Sequence, residues 1–366
     1  IQNIFAQNKA IFLSSTTDWA DSVMATLSEE ERIAQLFMVA AYSNKGEEHK
    51  RQITNLVEQY NIGGLMFLQG GPFRQAQLTN HYQSISKTPL MIAIDAEWGL
   101  AMRLDSCWSF PWQMTLGAIE DTNLIYQMGV EVARQCKMLG IHINFAPVVD
   151  VNSNPENPII NNRSFGENPN TVGRMGVAYM KGMQDNNIMA CAKHFPGHGD
   201  TDTDSHKTLP IVNQLKFQLE EVELLPYRML INNGLGSVMV AHLHIPSLDS
   251  SENLAVSLSP KVVNGLLKKD MGFTGLAITD ALNMNGVSQF YQPGEVDVKA
   301  LLAGNDVLLF AQDIPKAIEE IKQAINKKMI SQKEIDQRCH KILMAKHWMG
   351  LAEYKPADLS IINDNI

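Results

Sequence analysis

The chain has 366 residues, of which 30 are lysine or arginine and 39 are aspartate or glutamate, so its formal net charge is −9. This charge argues against nucleic acid as a partner, which would require a basic surface. No apolar run approaches the ~18 residues of a membrane-spanning helix, so membrane insertion is not expected. An apolar fraction of 45% is sufficient for the core of one large α/β domain.

Apolar runs of strand length alternate along the chain with segments of helical periodicity. Eight strands are predicted at residues 35–41, 64–68, 90–95, 143–147, 188–193, 237–241, 276–279 and 306–309. Helices are predicted at residues 46–60, 72–86, 121–139, 170–186, 214–233, 259–269, 296–303, 314–326 and 332–349. Strict alternation indicates a parallel sheet, and eight repeats favour a closed (β/α)8 TIM barrel of the α/β class.

The helix predicted at residues 121–139 shows how these elements are recognised. Asp121 precedes it as an N-cap. Its apolar face is formed by Leu124, Ile125, Met128, Val132 and Leu139. We therefore expect this helix to pack one side against the barrel.

The chain is expected to form one catalytic barrel domain over residues 28–350, preceded by an approach segment at 1–27 and followed by a tail at 351–366. The four cysteines form no C-x-x-C pair, so neither a zinc knuckle nor a redox motif is predicted. The first residue is Ile1 and not Met, which we take as a sign of processing. It favours an exported, periplasmic location over a cytoplasmic one.

Polar side chains recur where the predicted strands end. They are Asp95, Asp150, Lys193, His194, His242, His244 and Asp280. A single aspartate at such a place is commonly a helix cap. In a barrel, however, all strands end on the same face, so we expect these side chains to converge there.

The densest cluster of polar residues is the loop at 193–206, K-H-F-P-G-H-G-D-T-D-T-D-S-H. Together with the pair His242-x-His244, its histidines raise the alternative of a metal site. Barrel zinc hydrolases begin with H-x-H on the first strand, whereas here the motif follows the sixth, and no bridging glutamate is evident. Neither a metal nor a cofactor is predicted, and we expect His198 and His244 to bond to the backbone.

Acid/base chemistry requires a nucleophile or base and a proton donor on opposite sides of the scissile bond. Asp280 lies at a rigid strand end, as a nucleophile should. Asp204 and His206 are two residues apart in the loop. The carboxylate of Asp204 would hold the tautomer of His206 and raise its basicity.

The loop at 193–206 resembles the signature of glycoside hydrolase family 3, in its β-N-acetylglucosaminidase branch. Other segments resemble further blocks of the family in order and spacing. They are Asp95 with Glu97 and Arg103, N-F-A-P-V-V-D-V at 144–151, N-R-S-F-G at 162–166, M-V-A-H-L-H-I-P at 239–246, F-T-G-L-A-I-T-D-A-L-N-M at 273–284 and A-G-N-D-V-L-L at 303–309. The similarity extends from about residue 27 to residue 350.

The resemblance implies a role for each matching residue. Asp280 corresponds to the catalytic nucleophile, and His206, paired with Asp204, to the acid/base of this branch. The residues that bind N-acetylglucosamine (GlcNAc) in the −1 subsite correspond to Asp95, Arg103, Arg163, Lys193 and His194. A carboxylate accepts hydrogen bonds from sugar hydroxyls, whereas Arg and Lys donate to them.

The resemblance therefore implies a retaining exo-β-N-acetylglucosaminidase whose partner is a carbohydrate. The expected substrates are GlcNAc–MurNAc or GlcNAc–anhydroMurNAc fragments of peptidoglycan. A β-glucosidase, a phosphorolytic enzyme of the same family and an inactive sugar-binding barrel remain as alternatives. Two positions depart from the family pattern: Trp98 replaces a glycine, and Ala281 follows Asp280 where a second carboxylate is common. Trp98 either packs against the barrel rim or narrows the sugar site.

Overall fold

The computed structural model describes residues 9–201, 209–362 and 366. Its strands are β1 (Phe37–Ala41), β2 (Gly64–Phe67), β3 (Met91–Ile94), β4 (Ile143–Asn144), β5 (Met189–Phe195), β6 (Ser237–Val240), β7 (Leu276–Thr279) and β8 (Leu308–Leu309). Strands β1 to β7 pair in chain order, all parallel, and β8 pairs with β1. A bridge between Ile278 and Val307 brings the two ends together. The predicted (β/α)8 TIM barrel of the α/β class is confirmed.

Helices follow the strands and cover the outside of the barrel. The α-helices of the described residues are Asp18–Met24, Glu29–Ala34, Glu47–Tyr60, Pro72–Ile85, Gln113–Gly117, Thr122–Met138, Pro169–Gln184, Lys216–Glu221, Leu224–Ile231, Asn285–Ser288, Glu295–Ala303, Ile314–Asn326 and Gln332–Trp348. Lys261–Asp270 is a π-helix. None of the helices in the described part of the chain has the length and apolarity that crossing a bilayer requires.

The helix Thr122–Met138 confirms the predicted cap and corrects one predicted core residue. The Asp121 carboxylate accepts the backbone N–H of Asn123 at 2.9 Å. Leu124 is 54% exposed, whereas the other four residues of the predicted apolar face are buried. Consecutive helix residues point about 100° apart, so Leu124 lies outside the stripe that faces the barrel.

The single helix predicted at residues 214–233 is instead two helices, Lys216–Glu221 and Leu224–Ile231. Pro226 explains the break, because inside a continuous helix its ring would clash with the carbonyl of Val222, four residues earlier. In the observed structure Pro226 lies in the first turn of the second helix, where the missing N–H is not needed. The interruption leaves Glu223 buried between the two helices.

The described part of the N-terminal segment begins at Lys9 and packs over the end of the barrel where the strands start. The Ala10 N–H donates to Thr274 Oγ1 at 2.9 Å, and the Ile11 N–H donates to the Gly234 carbonyl at 3.2 Å. Both acceptors lie just before strands, β7 and β6. The opposite end of the barrel, where the strands finish, is therefore left for a site.

Candidate active site

A cavity of about 550 Å³ lies at the carboxyl ends of the strands. Six residues predicted from the sequence line it, namely Asp95, Arg103, Arg163, Lys193, His194 and Asp280. Asp95 and Asp280 each come one residue after their strands, β3 and β7, and Lys193 and His194 belong to β5. Of the seven strand-end residues expected to converge, four line the cavity, whereas Asp150, His242 and His244 do not. The catalytic and binding roles of the six lining residues stay predictions.

The base of the cavity holds a network of buried charges. Lys193 Nζ lies 2.7 Å from Asp95 Oδ1 and 2.7 Å from Glu97 Oε1. Arg163 donates two parallel hydrogen bonds to Glu97, at 2.9 and 2.7 Å, and Arg103 pairs with Asp95. Such bidentate pairing fixes the plane of the guanidinium as well as its position. The network therefore presents donors and acceptors to the cavity in fixed orientations.

Charge pairing outweighs desolvation in this network. Burial by itself raises the pKa of Asp95, but the charges of Lys193 and Arg103 bring that pKa below its ordinary value. Burial raises the pKa of Glu97 in the same way, and Arg163 and Lys193 lower it. Burial lowers the pKa of Lys193, and the two carboxylates raise it. All three groups are accordingly charged at neutral pH.

Asp150 holds His194 in place. Its carboxylate lies 2.7 Å from His194 Nδ1 and accepts the backbone N–H groups of His194 and His198, at 3.1 and 2.8 Å. Burial raises the pKa of Asp150, but the contact with His194 lowers it below its ordinary value. With Nδ1 turned to Asp150, the other ring nitrogen of His194 lies 3.3 Å from Arg163 Nη2. The imidazole is thereby oriented at the wall of the cavity.

Asp280 is fixed through its backbone and its carboxylate. Its N–H donates to the Val240 carbonyl at 2.9 Å, and its Oδ1 accepts the N–H of Ala281 at 2.8 Å. The Ala281 carbonyl in turn lies 3.1 Å from His242 Nε2. These bonds hold the Asp280 carboxylate at the cavity wall on a rigid strand end.

Asp204 and His206 lie outside the described residues, so their predicted pairing stays a prediction. The described start of their loop contains two glycines that the fold requires. A Cβ on Gly199 would lie 1.6 Å from the Val151 carbonyl oxygen, and Gly197 has φ of +146° with Glu223 Oε2 2.5 Å from the place of a Cβ. Side chains cannot be accommodated at either position. The two glycines thus fix the direction in which the chain leaves β5.

The other histidines bond to neighbouring residues. His244 Nδ1 lies 3.2 Å from the Leu254 carbonyl, which confirms the expected backbone bond. His198 Nδ1 instead lies 2.6 Å from the Thr201 hydroxyl, and burial and the charge of His194 lower the pKa of His198 to about 4. His242 Nδ1 lies 2.7 Å from Ser257 Oγ. Within residues 9–201, 209–362 and 366, no three His, Cys, Asp or Glu side chains are grouped as metal ligands.

Several residues of the site were not assigned from the sequence. Glu97 was part of a motif only, yet it pairs with Arg163 and Lys193. Its position two residues after Asp95 was a usable signal, because residues i and i+2 of an extended chain share a face. Trp98 lines the cavity and packs against Trp112, a residue that no sequence motif indicated. Trp98 thus forms part of the cavity wall.

Comparisons with known proteins agree with this geometry. The sequence profile described as "Glycosyl hydrolase family 3 N terminal domain" matches residues 28–345. The chain is 37% identical over 281 residues to beta-hexosaminidase A of Pseudoalteromonas piscicida, covering 70% of this chain and 47% of that protein. It is 30% identical over 339 residues to the beta-hexosaminidase LpqI of Mycobacterium tuberculosis, covering 88% and 84% of the two chains.

Among solved structures, a family 3 beta-N-acetylglucosaminidase from Paenibacillus superimposes with a TM-score of 0.84 at 33% identity. The match covers 91% of this chain and 64% of the Paenibacillus chain. The chain thus spans about half of the Pseudoalteromonas protein and less than two thirds of the Paenibacillus one.

Proposed function

Because the chain belongs to glycosyl hydrolase family 3, we propose that it is a retaining exo-β-N-acetylglucosaminidase that removes terminal β-linked GlcNAc. The family predicted from the sequence is confirmed. The observation that carries the proposed activity is the convergence in one cavity of Asp280 with the charged network of Asp95, Lys193 and Arg163. The names of the relatives, which are hexosaminidases and an N-acetylglucosaminidase, support the choice of sugar.

In the proposed reaction, Asp280 attacks the anomeric carbon of the terminal sugar and a covalent glycosyl-enzyme forms. His206 protonates the oxygen of the leaving aglycone. The same residue then deprotonates the water that releases GlcNAc, and Asp204 keeps its imidazole in the correct tautomer. The rigid backbone bonds around Asp280 support this assignment, because a nucleophile on a fixed strand end does not need to be ordered at the moment of attack.

The charged network would bind the terminal sugar. Asp95 accepts hydrogen bonds from sugar hydroxyls, Lys193, Arg103 and Arg163 donate to the remaining polar groups of the ring, and His194 contacts the sugar beside Arg163. Since these side chains are buried or partly buried and are already held by ion pairs and hydrogen bonds, they lose little freedom when the sugar binds. The expected substrates are GlcNAc–MurNAc fragments of peptidoglycan.

The proposal is tested by comparing p-nitrophenyl β-glycosides of GlcNAc and of glucose. A site built around polar groups rejects a ligand that leaves those groups unpaired, so kcat/KM should be much higher for the GlcNAc compound. Equal values would show that the acetamido group does not set specificity, and a higher value for the glucose compound would favour a β-glucosidase. No turnover of either compound would favour a sugar-binding barrel. The same assay with added inorganic phosphate checks for GlcNAc-1-phosphate, the product of phosphorolysis.

A further inference from the structure

A pair of tryptophans forms one wall of the active-site cavity. The ring centroids of Trp98 and Trp112 are 4.0 Å apart and the rings are inclined by 46°. Both line the cavity, and Trp112 still has 44% of its surface exposed. Indole rings with this much exposed surface beside a polar sugar site indicate a contact made with a ligand.

The chain between the two tryptophans is folded so that it holds them together. The Phe110 N–H donates to the Trp98 carbonyl at 3.0 Å. Gly99 has φ of +87°, and the Phe110 ring lies 2.8 Å from the place where a Cβ would be. The ring packs on this position only because residue 99 is a glycine. The tryptophan pair is therefore a preformed surface and not two side chains on a loose loop.

The lining of the cavity has a polar part and an apolar part. The polar part includes Lys193, which forms ion pairs with Asp95 and Glu97. The segment after β3 contributes the large apolar side chains Trp98, Met102 and Trp112, in addition to Arg103. The cavity has a volume of about 550 Å³. A cavity of this size can hold a drug-sized ligand, and such a ligand is larger than one sugar ring. The polar part suits the terminal sugar, so the apolar part is left for the group attached to it.

We propose that Trp98 and Trp112 form the aglycone subsite and stack against the first sugar ring beyond the scissile bond. This inference rests on the proposed function. The C–H groups on the face of a pyranose carry partial positive charge, and they complement the electron-rich face of an indole. The ligand is therefore a pyranose to which the terminal GlcNAc is β-linked. A second GlcNAc and an N-acetylmuramic acid both have such a ring, and both are included in the test.

The test measures Trp98→Ala, Trp112→Ala and the control Trp108→Ala on three substrates. Trp108 belongs to the same segment, is 78% exposed and does not line the cavity. The substrates are GlcNAc-β-1,4-GlcNAc, GlcNAc-β-1,4-MurNAc and methyl β-GlcNAc, which has no aglycone ring. Truncation of an indole that is buried by the ligand should raise KM for the disaccharides roughly 10- to 100-fold. We expect methyl β-GlcNAc to be unaffected, the control to behave as wild type, and Trp98→Phe to restore part of the loss.

The outcomes separate this subsite from the proposed function. Equal losses on both disaccharides support recognition of the ring face, and a loss on only one identifies which sugar the subsite binds. If KM for methyl β-GlcNAc rises by the same factor, the tryptophans have only a structural role and the inference is overturned. Unchanged KM values for the disaccharides in both variants would also overturn the inference. Failure of the wild-type protein to turn over any of the three substrates would instead refute the proposed function. In that case the subsite is tested without turnover. The intrinsic tryptophan fluorescence of the wild type and of Trp98→Ala is measured while GlcNAc-β-1,4-GlcNAc is added. If the fluorescence of the wild type does not change, the subsite is overturned as well.

Discussion

Glu223 is a carboxyl group that the fold buries beneath Gly197, where the chain leaves β5. It lies against Gly197, and its Oε2 atom has no hydrogen-bond partner among the described residues. Its Oε1 atom lies 3.5 Å from the Ser153 hydroxyl. Burial, reinforced by the negative charge of Asp150, raises the pKa of Glu223 from 4.5 to about 8. We therefore predict that Glu223 is protonated in the folded protein at neutral pH.

This shift makes stability depend on pH in a defined direction. The unfolded chain loses the proton near pH 4.5, whereas the folded protein keeps it up to about pH 8. At Glu223 the folded state binds more protons across that window, so the contribution of this group to stability falls as pH rises from about 4.5 to 8. A difference of 3.5 pKa units at ~1.36 kcal/mol each gives a loss on the order of 5 kcal/mol at pH 8 and above.

The substitution Glu223→Gln keeps the size of the side chain and removes its titration. We expect the variant to become progressively more stable than the wild type as pH rises, by several kcal/mol between pH 5 and pH 9. The measurement is urea unfolding at fixed pH values, with Glu221→Gln as control, since Glu221 is exposed on the neighbouring helix. A stability difference between Glu223→Gln and wild type that does not change with pH would refute the reasoning.

Three further predictions concern the proposed catalytic and charged residues. Asp280→Asn should lower kcat by roughly three orders of magnitude or more, and a 5-fluoro GlcNAc analogue should label Asp280; a label on another carboxylate would contradict the assignment. His206→Ala should slow the hydrolysis of substrates with poor leaving groups far more than that of activated aryl glycosides, and Asp204→Ala should show a milder form of the same pattern. Equal losses of rate for both kinds of substrate in His206→Ala would exclude the acid/base role. Lys193→Ala leaves Asp95 and Glu97 without their shared cation, so the free energy of unfolding, measured by thermal unfolding, should fall by ~3–5 kcal/mol. An unchanged melting temperature would argue against the contribution of the network to stability.

The strands could be predicted from the sequence because each contains a short apolar run, and several of these runs are followed by a charged residue or a histidine. Strand β7, Leu276–Thr279, is buried throughout and ends directly before Asp280, and its predicted bounds agree with the structure. The short N-terminal helices Asp18–Met24 and Glu29–Ala34 were not predicted. A helix of this length is marginal on its own and depends on packing, here against Gln332–Trp348 at the far end of the chain.

The site could be predicted as a set of residues but not as a set of interactions. Asp95, Lys193 and Asp280 follow from their places at strand ends. The pairing of Glu97 with Arg163 joins residues 66 positions apart, and no local pattern contains such information. The burial of Glu223 likewise follows from the break that Pro226 introduces between two helices, and a helical periodicity taken by itself continues through that break.

The distribution of charge in the cavity is matched to the chemistry proposed for it. A glycosidase transition state resembles an oxocarbenium ion, so positive charge develops at the anomeric carbon. The cations Lys193 and Arg163 would oppose that charge if they were uncompensated, because Coulomb interactions are strong in a site of low dielectric. Glu97 contacts both of them and Asp95 contacts Lys193, so two carboxylates together offset the positive charge of these two side chains. In the proposed reaction this pairing would allow the cations to hold the sugar without repelling its transition state, and would leave Asp280 to stabilise the developing charge.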